Sequence, residues 1–301
     1  MIIDAHCHIW DESIIGGDFT SLLNGLVKAL QCPDPNLLFN GGVERLIQEM
    51  DEAGIDKTVL LALDGHFHFK STIPFPEYNN YVGNILENYP DKFIGFAGID
   101  PRRGIEAIME LERCVDKLGF RGVKFWTLTG FYPDDKTFYP FYQRVEELGV
   151  PILVHTGLGP GPTYLKYCQP IYVDTIAVDF PEINFIMAHM GDPFTDQAIA
   201  VAAKNANVYI DISAWEPVLK LSPPSFVQTL YKAKALCGIK KILFGSDWPL
   251  FTHILSQKDW VKGIKKLKVP PPLKLMGLGE FTEEDKSAIL GENAAALLGL
   301  K

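Results

Sequence analysis

Met1-Ile2-Ile3-Asp4-Ala5-His6-Cys7-His8-Ile9-Trp10 decides how the chain is read. Ile2, Ile3 and Ile9 favour a buried strand, and side chains alternate across a strand, so His6 and His8 project to one side and Cys7 to the other. Neutral imidazole nitrogen is a preferred ligand for zinc, iron and nickel, and two such ligands on one rigid strand pre-organise half of a four-ligand shell. The spacing alone is weak evidence. Seven histidines among 301 residues give roughly 0.16 His-x-His pairs by chance, and the chain holds a second pair, His66-Phe67-His68. The N-terminal pair gains meaning only if distant segments bring further ligands to it.

Outward from this strand, residues 11–40 contain Gly16-Gly17 and Cys32-Pro33-Asp34-Pro35 and read as a long irregular, lid-like insertion. Regular alternation follows. Val43, Leu46, Ile47 and Met50 recur at helical spacing and stop at Gly54, and residues 57–63 read as a second strand. Further apolar strands are expected at 93–99, 121–126, 151–155, 184–189, 208–212 and 241–249, each preceded by a helical pattern. Thr282 and Asp285 offer a capping-box-like start for a closing helix through Leu298. Eight apolar strands alternating with helices predict an all-parallel α/β sheet, which at this length closes most economically as a (β/α)8 TIM barrel, one domain over 1–301. A doubly wound open sheet is the alternative, but the first strand lacks the Gly-rich turn of a dinucleotide site.

With 47% hydrophobic and 22% charged residues the chain can bury a large core. A formal net charge of -9 and no basic run longer than Lys265-Lys266 argue against a nucleic-acid partner. No apolar run has bilayer length and the start is unlike a signal peptide, so no membrane partner is expected. The five scattered cysteines, without a Cys-x-x-Cys pair, read as reduced thiols of a cytoplasmic protein. A small-molecule substrate is the expected partner, with a homodimer as the candidate assembly.

Barrel active sites gather at the C-terminal ends of the strands. That register holds His6 and His8 on strand one, Lys124 on four, His155 on five, His189 on six and Asp247 on eight. Three imidazoles and a carboxylate suit a divalent cation with one position open to water. The ordered motifs Asp4-Ala5-His6-Cys7-His8, Gly122-Val123-Lys124, Val154-His155-Thr156-Gly157, Ala188-His189-Met190-Gly191 and Phe244-Gly245-Ser246-Asp247-Trp248-Pro249 span nearly the whole chain. Together they resemble the amidohydrolase superfamily, in particular the branch that includes aminocarboxymuconate semialdehyde decarboxylase. The resemblance implies that His6, His8, His155 and Asp247 hold one divalent ion, expected to be zinc, with His189 beside it as a catalytic residue; Asp247 can both touch the ion and accept the proton of its water, which gives it a catalytic role too.

Two activities are compatible with such a centre. The first expectation is hydrolysis of an amide, ester or lactone bond in a small organic substrate by a metal-activated water; the alternative is non-oxidative decarboxylation of an unsaturated or aromatic acid. A barrel that only binds a ligand has no need of an open metal site. Lys124 is a further candidate, either as a carboxylated bridge to a second metal or as a simple partner of a carboxylate. His66 and His68 could reach the mouth, Arg102 or Arg103 could clamp a substrate carboxylate, and Trp10, Trp126, Trp215 and Trp248 could line a pocket.

Overall fold

The computed structural model describes residues 1–11, 14, 16–69 and 75–300. Eight parallel strands pair in sequence order: β1 (Ile3–Cys7), β2 (Lys57–Leu61), β3 (Phe93–Gly98), β4 (Gly122–Phe125), β5 (Ile152–Val154), β6 (Phe185–Met187), β7 (Val208–Asp211) and β8 (Ile242–Leu243). The ring is completed by backbone hydrogen bonds from Ala5 N to the Phe244 carbonyl (2.9 Å), Asp247 N to His6 O (2.8 Å) and His8 N to Trp248 O (2.8 Å). The segment after β8 therefore follows β1 although it leaves strand geometry. Its expected extent, 241–249, is cut short at Leu243, where Phe244 N turns to the Ile289 carbonyl (3.0 Å) instead of a neighbouring strand, and Asp247 further on enters the left-handed region at φ 50°.

Helices cover the outside of the barrel: α1 (Gly17–Ala29), α2 (Asn36–Phe39), α3 (Val43–Ala53), α4 (Glu77–Asn88), α5 (Ile105–Leu118), α6 (Tyr139–Leu148), α7 (Ile171–Asp179), α8 (Thr195–Lys204), α9 (Glu216–Leu221), α10 (Pro223–Cys237) and α11 (Gln257–Lys265). Residues 11–40 are thus not irregular throughout. Phe19, Leu22, Leu23 and Leu26 are buried along one stripe of α1, the i, i+3, i+4, i+7 pattern of an amphipathic helix whose period is masked at its start by two glycines. Gly54 and Gly119 end α3 and α5 at φ 71° and 72°, as their positions predict.

Alternation along the strands divides the core in two. Val123, Phe125, Ile152, Val154, Phe185, Met187, Val208 and Ile210 pack outward under the helices. Their neighbours Leu153, Ile186 and Leu243 pack inward with Ile3, Ala5, Val59, Leu61 and Phe96. Ala294 and Leu298 close the bottom of this inner cluster. They lie at the end of the expected closing segment, which begins with a capping box at Thr282 and Asp285 and passes through a π turn at Ala288–Glu292. There Gly291 lets the turn touch β1, since a Cβ would stand 2.3 Å from the Met1 carbonyl oxygen. All five cysteines are unpaired. Among the described residues no helix is long and apolar enough to cross a membrane.

Gly291→Ala should force the closing turn away from β1 and destabilise the barrel by about 1–3 kcal/mol, the usual cost of overpacking. Urea denaturation checks this as a lowered midpoint with an unchanged slope.

Candidate metal centre

The pairing of β1 with β2 shifts register between Asp4 and Cys7. Ile3 and Ala5 face the inner cluster and Cys7 the outer one, so the irregularity re-aims the end of the strand and carries His6 and His8 over the barrel interior. Each ring is then fixed through Nδ1. His6 Nδ1 lies 2.8 Å from Asp211 Oδ2, and His8 Nδ1 lies 3.2 Å from the Leu61 carbonyl. Both partners are acceptors, so Nδ1 carries the proton and Nε2 keeps its lone pair.

Asp247 meets those two lone pairs. Its Oδ1 stands 3.4 Å from His6 Nε2 and 3.3 Å from His8 Nε2, yet it is buried and takes no hydrogen bond. Three electron-pair donors thus converge, with no hydrogen-bond donor on Asp247 Oδ1 and only the Lys124 amine near His6 Nε2, and a cation fits among them. Gly245 keeps the approach open, because a Cβ there would come within 2.8 Å of His6 Cβ.

A second cluster, His6, His189 and Asp211, has ligand atoms close enough for an ion, but the Ser213 hydroxyl already ties it together. Ser213 Oγ lies 2.8 Å from His189 Nδ1 and 3.1 Å from His6 Nδ1 and donates to Asp211 Oδ1. His189 is held further by its N–H to Asp211 Oδ1 (2.9 Å) and by Trp215 Nε1 donating to its carbonyl (2.8 Å). With φ at 59° it sits in strained backbone that these contacts stabilise. Its Nε2 is left for other chemistry.

Charge states agree with this picture. Burial, reinforced by the nearby Lys124 ammonium, pushes His6 down to about 3. Burial also drives His155 well below its ordinary value, with His189 and Lys124 adding to the effect, and it lowers His189. For Asp247 burial acts upward, but the surrounding histidines, His8 foremost, outweigh it and hold the carboxyl below the usual range. Asp211 is held down in the same way, by His6 foremost. Neutral imidazoles beside ionised carboxylates are the forms that bind a metal ion.

His155 lies outside the close trio. It packs against His189 with ring centroids 4.8 Å apart, and its Nε2 lies 3.1 Å from the Leu158 carbonyl, which leaves Nδ1 as its free nitrogen. Lys124, fully interior, places Nζ 3.4 Å from His6 Nε2, and burial pushes it down to about 8. Arg102 and Arg103 are committed elsewhere: Arg102 chelates Asp100, and Arg103 binds Asp64 at 2.6 and 3.0 Å. His68 Nε2 lies 2.6 Å from the Pro162 carbonyl, whereas His66 is exposed.

Trp10, Trp126 and Trp215 line the cavity above the centre, while Trp248 points away, its Nε1 donating to Glu49 Oε2 at 2.9 Å. The cavity measures about 380 Å³ and has His8, His155, His189 and Asp247 at its floor. Asp211 and Ser213 are the residues that sequence reasoning missed. The signal for Asp211 was available, since it ends the apolar strand Val208-Tyr209-Ile210 just as His155 follows β5. Ser213 had none, being one hydroxyl in a loop.

The amidohydrolase family model matches residues 3–300. The chain is 24% identical over 331 aligned positions to 2-amino-3-carboxymuconate-6-semialdehyde decarboxylase of Dictyostelium discoideum, an alignment covering 99% of this chain and 84% of the relative. It is 25% identical over 264 positions to gamma-resorcylate decarboxylase of a Polaromonas species, covering 72% and 79% of the two chains. Among solved structures, dihydroxybenzoic acid decarboxylase from Polaromonas, with bound manganese and the inhibitor 2-nitroresorcinol, superposes with a TM-score of 0.67 at 21% identity over 99% of this chain and 96% of that one.

Asp211→Asn removes the charge that fixes the His6 ring and its tautomer. Metal affinity, measured by competition with a chelator, should fall about 10–100-fold with the circular dichroism spectrum unchanged.

Proposed function

We propose that this chain, which belongs to the amidohydrolase family, is a metal-dependent, non-oxidative decarboxylase of an unsaturated or aromatic carboxylic acid. The observation that carries this reading is the buried Asp247 Oδ1, unbonded between the Nε2 atoms of His6 and His8, at the floor of a largely apolar chamber. Two decarboxylases among the relatives support it over hydrolysis, the first expectation from sequence. His6, His8 and Asp247 would hold the ion, with His155 as the fourth ligand through its free Nδ1. Zinc suits a set of three imidazoles and one carboxylate; manganese, bound in the Polaromonas structure, is the competing metal that elemental analysis would decide.

When bound, the ion supplies positive charge for an anionic substrate and lowers the pKa of a coordinated water toward about 7. The chain supplies the proton and the surroundings. In the overall change a substrate carboxylate and one proton become a carbon–hydrogen bond and carbon dioxide: the carbon takes the proton with the electron pair of its double bond, and the carbon–carboxylate bond then breaks with its electron pair restoring that double bond. His189 is the proton donor of this scheme. Ser213 gives its own hydrogen to Asp211 and so accepts from His189 Nδ1, which leaves Nε2 as the atom that loads and delivers the proton. Burial depresses the basicity of His189, so a proton placed there is readily given up. Asp247, ionised and at the cavity floor, relays to His189 the proton that bulk solvent supplies, so each turnover consumes one solvent proton and leaves no hydroxide in the site. The apolar wall strips water from the carboxylate, while the departing gas is uncharged and needs none.

Carbon dioxide release from a panel of unsaturated and aromatic acids tests the scheme. Asp247→Asn should keep the fold and lose nearly all turnover, at least about 10²-fold; a near wild-type rate removes Asp247 from catalysis. His189→Gln should lose turnover to a similar degree yet retain the metal. Formation of a new acid from esters or lactones without gas from any acid would instead favour hydrolysis.

A further inference from the structure

The floor and the wall of the cavity differ in chemistry. Among the described residues the ionisable groups that line the cavity are confined to the floor and to Asp192 at the rim, and no lysine or arginine side chain is among them. The stripe of α1, Phe19, Leu22, Leu23 and Leu26, forms much of the wall. Two of the three indole N–H groups of the lining are already used: Trp10 Nε1 donates to the Leu38 carbonyl and Trp215 Nε1 to the His189 carbonyl, which leaves Trp126 as the one uncharged indole donor of the wall. Three interior or strand-end cations among the described residues are also engaged. Lys124 lies 1% exposed against His6, and Arg102 and Arg103 are paired with Asp100 and Asp64.

A carboxylate buried against such a wall would lose hydration without gaining a cationic partner, and Asp192 would repel it. We infer that the acid taken by this site is a monocarboxylate with an uncharged, apolar body, and that the α1 stripe sets this preference. The inference rests on the decarboxylase reading and specifies its substrate class. One carboxylate goes to the metal end; the rest of the molecule, an aromatic ring or an unsaturated hydrocarbon of similar bulk, lies against Phe19, Leu22 and Leu26. A second carboxylate on the body is excluded by the same wall.

Two probes with one ring system test this in the zinc-loaded full chain: naphthoate, and a naphthalene dicarboxylate whose second carboxylate lies at the far end of the ring. Isothermal titration should show naphthoate binding at least about tenfold more tightly, since the second charge would be buried unpaired. Equal or tighter binding of the dicarboxylate, or no binding of either, overturns the inference. Leu22→Arg places a cation in the wall and should narrow the gap at least about tenfold, whereas Leu22→Met should preserve it. An unchanged ratio in a folded Leu22→Arg protein overturns the role of α1. Should that variant not fold, Phe19→Ala takes its place: it should weaken naphthoate several-fold with little effect on the dicarboxylate, and unaltered naphthoate binding overturns the assignment. Gas release is scored separately on the same acids. Apolar preference in binding without carbon dioxide from any acid would sink the decarboxylase reading while leaving the recognition rule intact; carbon dioxide from dicarboxylates alone would do the reverse.

Discussion

Everything in this barrel is arranged around a repulsion. A carboxylate oxygen is held 3.4 and 3.3 Å from two imidazole lone pairs in the interior, where low dielectric makes their mutual repulsion costly. The arrangement is sustained because each participant is fixed from behind, His6 by Asp211, His8 by Leu61 and Asp247 by its own backbone hydrogen bond to His6. Those backbone bonds are also what joins the segment after β8 to β1. Closing the barrel and assembling the centre are therefore one structural event, and the strain at Asp247 is borne by the contacts that complete the ring.

The parts of this arrangement visible in sequence are those set by periodicity. Strand alternation predicts that His6 and His8 share a side, and the repeated strand and helix patterns predict eight parallel strands; both follow from local chemistry. The shift of register in β1 has no such local sign. Strict alternation from Ile3 would put His6 on the outer face with Asp4, and only the pairing with β2 and with the segment after β8 turns it inward. The same holds for Ser213, whose hydroxyl matters because β6, β7 and β1 end at one place. Helix α1 was hidden for a different reason. Its apolar stripe has clear helical spacing, but Gly16 and Gly17 at its start carry the usual signal of a turn.

Asp211 links the two halves of the site. One oxygen orients His6 as a potential ligand, and the other accepts from Ser213, the His189 backbone and Ser213 N. A single carboxylate thereby fixes the ring nitrogen facing the metal position and the ring nitrogen facing the cavity. Lys124 adds a constraint of opposite sign. Its amine approaches His6 Nε2 from the interior, so an ammonium there and a metal ion on the same nitrogen are mutually unfavourable, and a bound cation would further favour the uncharged amine.

Charge and shape are consequently assigned to different layers of the fold. The charged groups stand on strand ends inside the barrel, where β-pairing fixes them to a fraction of an ångström and buried acceptors fix their tautomers. The wall facing the substrate comes largely from α1, which lies outside the repeating strand-helix units and carries no group required for the centre. A change in that helix can reshape the chamber without moving His6, His8 or Asp247, because none of their hydrogen bonds passes through it. Separation of this kind would let one floor of histidines and carboxylate serve ligands of different bodies, with selectivity written in a segment that the barrel does not need in order to close.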